Sequence, residues 1–182
     1  RTGAERFTDA APVGPNLLKR QSSMSCPSAT VQALTDNKTV LKTAIDSYVA
    51  SGMTAGHLGA AWAWYLISPA WNSIWPSSGK PAAYGAENTT KAVILMTDGI
   101  FNRQYESGNG SSEAQARGVC TEMKSKGVAV YAVAFQAPSS SQALLQDCSS
   151  GSSFYFSADN GEELRQAFAE IAKALNNLRL TN

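Results

Sequence analysis

Residues 91–99 read Lys-Ala-Val-Ile-Leu-Met-Thr-Asp-Gly, and they are the strongest indication of the fold in this sequence. The continuous apolar run at 92–96, with its β-branched residues, predicts a strand buried on both faces. Asp98 follows at the tip of this strand, where burying a carboxylate without a partner is costly. Three roles remain open for Asp98: a cap for the next loop, a catalytic carboxylate, or a ligand for a hard divalent cation.

Strands and helices alternate downstream of this run. Further strands are predicted at 128–135 and 153–156, and helices at 112–126 and 139–145. The 112–126 helix starts with a capping box, Ser112-Glu113-Ala114-Gln115. A last helix carries the core stripe Leu164, Phe168, Ile171, Leu175 and Leu178. Alternation with short connections predicts an α/β fold, a doubly wound and mainly parallel sheet flanked by helices.

The part of the chain before the first strand is organised differently. Residues 1–36 show no periodicity, so we expect an irregular segment packed on an α/β domain at 37–182. A helix is predicted after the candidate caps at 35–37, and a second one at 55–67. Their predicted apolar faces are Val40, Leu41, Ala44, Ile45, Tyr48 and Val49 in the first, and Leu58, Ala61, Trp62, Tyr65 and Leu66 in the second. The aromatic loop at 69–90 is interpreted as buried rather than membrane-bound.

Composition excludes several classes of function. The net charge of +1, with 16% charged residues, gives no field for recruiting nucleic acid. No apolar run approaches the roughly 18 residues of a membrane span. The sequence contains neither a P-loop nor a dinucleotide-binding glycine motif. His57 is the single histidine, and without a Gly-x-Ser-x-Gly elbow it is interpreted as a surface or loop-packing residue, not a catalyst.

The chain has three cysteines, Cys26, Cys120 and Cys148, which cannot all pair with one another. In a cytosolic protein they would be free thiols, and in an exported protein two would pair. Low charge and abundant Ser and Thr favour export.

The Gly52-Met53-Thr54 loop carries a hydroxyl that is a second candidate site residue besides the carboxylate of Asp98. By itself, Thr54 is the N-cap of the helix that follows. Together, Thr54 and Asp98 resemble two parts of the metal-ion-dependent adhesion site of von Willebrand factor A domains, and the resemblance extends over 38–178. Other stretches are similar to TadG-type proteins of tight-adherence (Flp) pilus systems: Arg1-Thr2-Gly3, Phe7-Thr8-Asp9-Ala10-Ala11-Pro12, Leu34-Thr35, Trp62-Ala63-Trp64, Ser68-Pro69, Phe154-Tyr155-Phe156 and Leu178-Arg179-Leu180.

The resemblance implies a ligand set, a disulfide and a location. Thr54 and Asp98 would bind Mg²⁺, or Mn²⁺ or Ca²⁺, in the complete domain. The family's Asp-x-Ser-x-Ser motif is missing here, so the fold is expected to be incomplete at its N-terminus and this segment to bind metal weakly or not at all. Cys120 would pair with Cys148, while Cys26 would pair upstream of Arg1 or stay free. The implied location is the bacterial periplasm or cell envelope, with a membrane anchor in a segment not present here.

Three functions follow as hypotheses. The first is a non-enzymatic adhesion module that recognises an acidic side chain of a pilus or envelope protein through the metal, with an upstream fragment of the same protein as a further partner. The second is a structural assembly domain with a vestigial metal site. The third is metal-assisted hydrolysis at Asp98, which no positioned general base supports.

Overall fold

The computed structural model describes residues 6–13 and 28–180, with side chains up to residue 177. The described residues form five α-helices and three β-strands, joined by loops and short 3₁₀ turns. In chain order they are α1 Lys38–Asp46, α2 Gly56–Ile67, β1 Ala92–Thr97, α3 Ser112–Ser125, β2 Ala129–Phe135, α4 Ser139–Cys148, β3 Tyr155–Ala158 and α5 Gly161–Leu180.

The three strands form one parallel sheet in the order β1-β2-β3. The register pairs Ala92 with Ala129 and Ala132 with Tyr155. Helices α2, α3 and α4 pack with one face of the sheet around a large apolar cluster. On the other face, Tyr131 and Val133 of β2 pack with Ile171 of α5 in a second cluster. Because helices cover both faces, the doubly wound α/β prediction is confirmed.

Strand β1 is not buried on both faces, contrary to the prediction. Val93 and Leu95 are buried, whereas Ile94 and Met96 are 39% and 50% exposed. The reason is position: β1 is an edge strand of the described sheet, and α5 contacts β3 and β2 instead. The continuous apolar run therefore has Val93 and Leu95 in the larger apolar cluster, while its other face is partly exposed.

Two predicted apolar stripes are also corrected. No residue of α1 is buried, because this nine-residue helix has no extensive contact with another described helix or strand. In α5, Ala167 and Ile171 make the buried contact, while Phe168 is 39% exposed. Leu164 and Leu175 are half-buried and pack against the second cluster, as predicted, so only Phe168 departs from the stripe; the side chain of Leu178 lies outside the described residues.

The buried face of α2 differs from the predicted one. The structure buries His57, Ala60, Ala61, Trp64 and Tyr65, while Leu58 is 39% exposed. Almost every residue of α2 is apolar or small, so the sequence pattern does not distinguish its faces. The inward face is selected by the neighbours of α2, chiefly α3.

The tryptophans of the aromatic loop after α2 pack inward, as interpreted, although most other residues of the loop are exposed. Trp71 is fully buried, and its ring stacks on Tyr65 at 3.9 Å between centroids. The indole of Trp75 donates a hydrogen bond to the backbone oxygen of Tyr65 at 2.9 Å. These contacts hold the loop against the start of the core.

Helices α3 and α4 are joined by a disulfide between Cys120 and Cys148, in agreement with the pairing that the resemblance implies. Both residues are fully buried in the larger apolar cluster. Nearby, the Nζ of Lys124 donates to the backbone oxygens of Asp147 and Ser149, so α3 also holds the end of α4 by hydrogen bonds. Cys26 lies outside the described residues.

Candidate functional site

Two loops meet beyond the carboxyl end of β1, and each carries one predicted metal ligand. The backbone N–H of Thr54 donates to Oδ1 of Asn102 at 2.9 Å, and the N–H of Arg103 donates to the Thr54 backbone oxygen at 3.1 Å. Asp98 begins the second of these loops. The structure thus brings the Thr54 loop and the loop that follows Asp98 into direct contact.

Thr54 is not the N-cap of α2. That position belongs to Ala55, which makes no side-chain capping bond. Thr54 is exposed, and its hydroxyl makes no hydrogen bond within the described part of the chain. The capping interpretation, which competed with metal binding, is therefore wrong.

Asp98 does not cap the loop after β1 either. The turn is closed by Thr97, whose Oγ1 accepts from the N–H of Gly99 at 3.2 Å and donates to its backbone oxygen at 3.0 Å. Asp98 itself is exposed and has no hydrogen-bond or ion-pair partner among residues 6–13 and 28–180. Its carboxylate is thus available to solvent and to ligands.

These two side chains fit a hard cation by type but not by number. A hydroxyl and a carboxylate are ligands suited to Mg²⁺, which takes about six oxygens in an octahedron. Among the described residues there is no cluster of three or more His, Cys, Asp or Glu side chains that would complete the set. Thr54 and Asp98 supply an incomplete ligand set, and their metal role stays a prediction.

His57 lies behind this site in a buried pair, not on the surface. Its Nδ1 is 2.8 Å from Oγ of Ser112, and its ring is 6.4 Å from that of Tyr105 between centroids. The side chain is 5% exposed, and burial lowers its pKa to about 4, so the imidazole is neutral at pH 7. The neutral pair ties the start of α2 to the start of α3.

The predicted capping box of α3 is wrong, because Ser112 pairs with His57 instead of capping the helix. The N-cap is Ser111, whose side chain accepts from the N–H of Ala114 at 3.2 Å. Gln115 does not reach back to the cap and donates instead to the backbone oxygens of Glu106 and Gly110. With two adjacent serines, the sequence alone does not show which one caps, because either can adopt the position.

We expect His57 to make the stability of the domain fall as the pH is lowered. A folded-state pKa of about 4 against 6.5 unfolded means that the unfolded chain binds the extra proton between these values. The contribution is fully present above pH 6.5 and is lost as the pH falls towards 4, with a slope of at most about 1.4 kcal/mol per pH unit.

His57→Asn should reduce this slope, since asparagine offers polar atoms to Ser112 but does not titrate. Urea unfolding of both proteins at pH 7, 6, 5 and 4 isolates the contribution of His57 to the pH dependence, because the two proteins have the same carboxylates. Parallel stability curves for the two proteins would contradict the assignment.

Sequence reasoning missed Asn102, Arg103 and Ser112. Asn102 and Arg103 sit in a polar loop without periodicity, and their bonds to Thr54 connect residues about fifty positions apart, which no local pattern signals. For Ser112 the sequence indicates a capping role, whereas the structure pairs its hydroxyl with His57.

The chain is a doubly wound α/β domain with a hydroxyl loop and a carboxylate loop in contact beyond one strand end. Residues 28–170 match the model of the von Willebrand factor type A domain, and the chain belongs to this family. A similar solved structure is the pilus adhesin SpaC from Lactobacillus rhamnosus GG, with a TM-score of 0.54 and 15% identity. The match covers 75% of this chain and 20% of that adhesin, so it establishes a shared fold.

A comparison with curated proteins gives no significant match. Within the described residues, no helix is both long enough and apolar enough to cross a membrane.

Proposed function

We propose that this chain is the protein-binding part of an adhesion module, non-enzymatic, that recognises an acidic side chain of a pilus or envelope protein. The observation that carries the proposal is a pair of exposed oxygen ligands, Thr54 and Asp98, whose side chains have no partner in the described part of the chain and which lie on two loops bonded to each other. Membership of the von Willebrand factor type A family and the likeness to a pilus adhesin support a binding role.

In the complete domain, Thr54 and Asp98 would hold Mg²⁺, which when bound supplies positive charge and an open position for a carboxylate. The chain's own residues provide the positioning. The backbone bonds between Thr54, Asn102 and Arg103 fix one loop against the other, and Thr97 closes the turn that presents Asp98. Specificity for an acidic partner would follow from this fixed arrangement, since ligands held in place lose little freedom on binding.

We assign the module to a TadG-like protein of the bacterial envelope, on the motifs quoted above. A structural assembly domain with a vestigial metal site is the alternative, favoured by the shortage of ligands at the site. The two functions differ in one respect: only the first requires a divalent ion for partner binding.

Asp98→Ala is expected to weaken Mn²⁺ binding by the complete protein about tenfold or more. Of the two side chains, Thr54 and Asp98, the carboxylate of Asp98 is the stronger ligand for the ion. Thr54→Ala should have a smaller effect in the same direction. The measurement is Mn²⁺ titration followed by electron paramagnetic resonance.

The matched control is Asp159→Ala, which should leave the Mn²⁺ affinity unchanged. Asp159 is also exposed and directly follows a strand of the same sheet, β3, but lies outside the two-loop site. Equal Mn²⁺ affinity in the Asp98→Ala variant and the parent would remove the metal role, and partner binding that survives EDTA would favour the assembly domain.

A further inference from the structure

Residues 6–13, called the strap below, lie against the domain away from the two-loop site and contain no helix or strand. Two side chains of this strap hold it in place. Phe7 packs on α3 at Gly118, where a Cβ would come within 2.8 Å of the ring, so only glycine leaves room for it. Asp9 is 8% exposed, although it carries a carboxylate.

Asp9 is bound by three donors of the domain. Its Oδ2 accepts hydrogen bonds from the hydroxyl of Ser68 at 2.5 Å and from that of Tyr84 at 2.6 Å. Its backbone oxygen accepts from the indole N–H of Trp71 at 3.2 Å. Since the neighbouring Phe7 is held separately, the strap is recognised at two points two residues apart.

The donors are positioned by the domain and not by the strap. Ser68 caps the 3₁₀ turn that follows α2 by accepting from the N–H of Ala70 at 3.2 Å. The Tyr84 hydroxyl accepts from the indole of Trp64 at 2.8 Å, and the Nζ of Lys91 lies 5.3 Å from the centre of the Tyr84 ring. Lys91 is itself anchored on the backbone oxygen of Ile67 at 2.7 Å. The carboxylate site therefore has its own internal support.

We propose that this region is a peptide-recognition site for an aromatic-x-Asp segment, and that its occupant is the chain's own Phe7-Thr8-Asp9. Buried hydroxyl and indole donors left without an acceptor are costly, which makes a carboxylate the preferred occupant. The space left by the missing side chain of Gly118 selects an aromatic ring two residues before the Asp of the peptide. Residues 6–13 contain no helix or strand and add no strand to the sheet in the part of the chain that the structure describes, so a free peptide of the same sequence should be able to take their place.

The first test uses the full chain with Phe7→Ala and Asp9→Ala, which removes both points of recognition from the strap. A fluorescent peptide of residues 6–13, Arg-Phe-Thr-Asp-Ala-Ala-Pro-Val, should bind this variant saturably. The unmodified chain should bind it about tenfold or more weakly, because its own strap competes at high effective concentration.

Peptide variants separate recognition from general stickiness. Asn in place of Asp9 should weaken peptide binding about tenfold, since hydrogen bonds to a charged acceptor are the stronger ones. Ala in place of Val13, whose side chain is 72% exposed, should leave it unchanged. Absence of saturable binding to a variant chain with a native near-ultraviolet circular dichroism spectrum overturns the proposal.

The second test does not depend on the doubly substituted chain folding. In Asp9→Asn, hydrogen exchange of amides in 6–13 should accelerate about tenfold, with amides of β2 unchanged. Glu87→Gln, an exposed substitution of the same charge change, should leave both unchanged. Unaltered exchange in 6–13, or equal acceleration throughout the domain, overturns the idea of a separable ligand.

Discussion

Gly56→Ala is expected to lower the free energy of unfolding by up to about 2 kcal/mol, which is the overpacking cost of about 1–3 kcal/mol less the gain in helix propensity. A Cβ at Gly56 would meet the tip of the Phe101 ring at 2.2 Å. Phe101 is 6% exposed, so the ring has no free space into which it can turn. The gain in helix propensity from alanine, about 1 kcal/mol, is smaller than the strain at the upper end of that range. Chemical denaturation measures the difference.

The control for this prediction lies one turn along the same helix. A Cβ at Gly59 would meet no atom within 4 Å apart from its chain neighbours and its own helix backbone, so Gly59→Ala should stabilise the domain by about 0.5–1 kcal/mol. Phe101→Leu in the Gly56→Ala background should recover part of the loss by shortening the opposing side chain. Equal effects of the two glycine substitutions would show that the contact with Phe101 is not what limits position 56.

The same contact connects core packing to the site. Phe101 lies between Asp98 and Asn102 in the loop that bonds to Thr54. Displacing its ring would move this loop, because the ring is the loop's buried anchor. We therefore expect Gly56→Ala to weaken Mn²⁺ binding by the complete protein as well, whereas Gly59→Ala should not.

The fold was predictable where the deciding pattern is local. The apolar run at 92–96, the glycine that ends α3 and the alternation of elements are properties of consecutive residues, and they predict the parallel sheet. A local sequence pattern does not predict which element packs against each face of a strand or helix. Ile94 is exposed because β1 lies at the edge of the described sheet, a fact about strand order and not about the strand's own sequence.

The candidate site divides in the same way. Thr54 and Asp98 stand out by position, one in a Gly-x-Thr loop and one at a strand tip. Tertiary structure excludes their competing roles as caps, because Ala55 is the N-cap of α2 and Thr97 closes the turn after β1. The contact between the two loops, through Asn102, is tertiary and has no local signature.

Replacing the disulfide with Cys120→Ala and Cys148→Ala should lower the free energy of unfolding by about 3–4 kcal/mol, the chain-entropy value for a loop of this size. The two cysteines are 28 residues apart in sequence, and the bridge joins the middle of α3 to the end of α4. Both residues are fully buried, so a reductant reaches the bond only through opening of the domain, and the double substitution is the cleaner experiment.

The matched control is Asp147→Asn, beside Cys148. Asp147 pairs with Arg117 across the same two helices, but its side chain is 62% exposed, so the substitution should cost no more than about 1 kcal/mol. Urea unfolding of the parent, the double variant and the control, all without reductant, compares the stability contributed by the disulfide with that contributed by the ion pair. A double variant as stable as the control would mean that the apolar contacts between α3 and α4 hold the helices together by themselves. The expected large loss would instead show that the bridge limits unfolding of the β1–α3–β2–α4 unit, which carries the loop of Asp98.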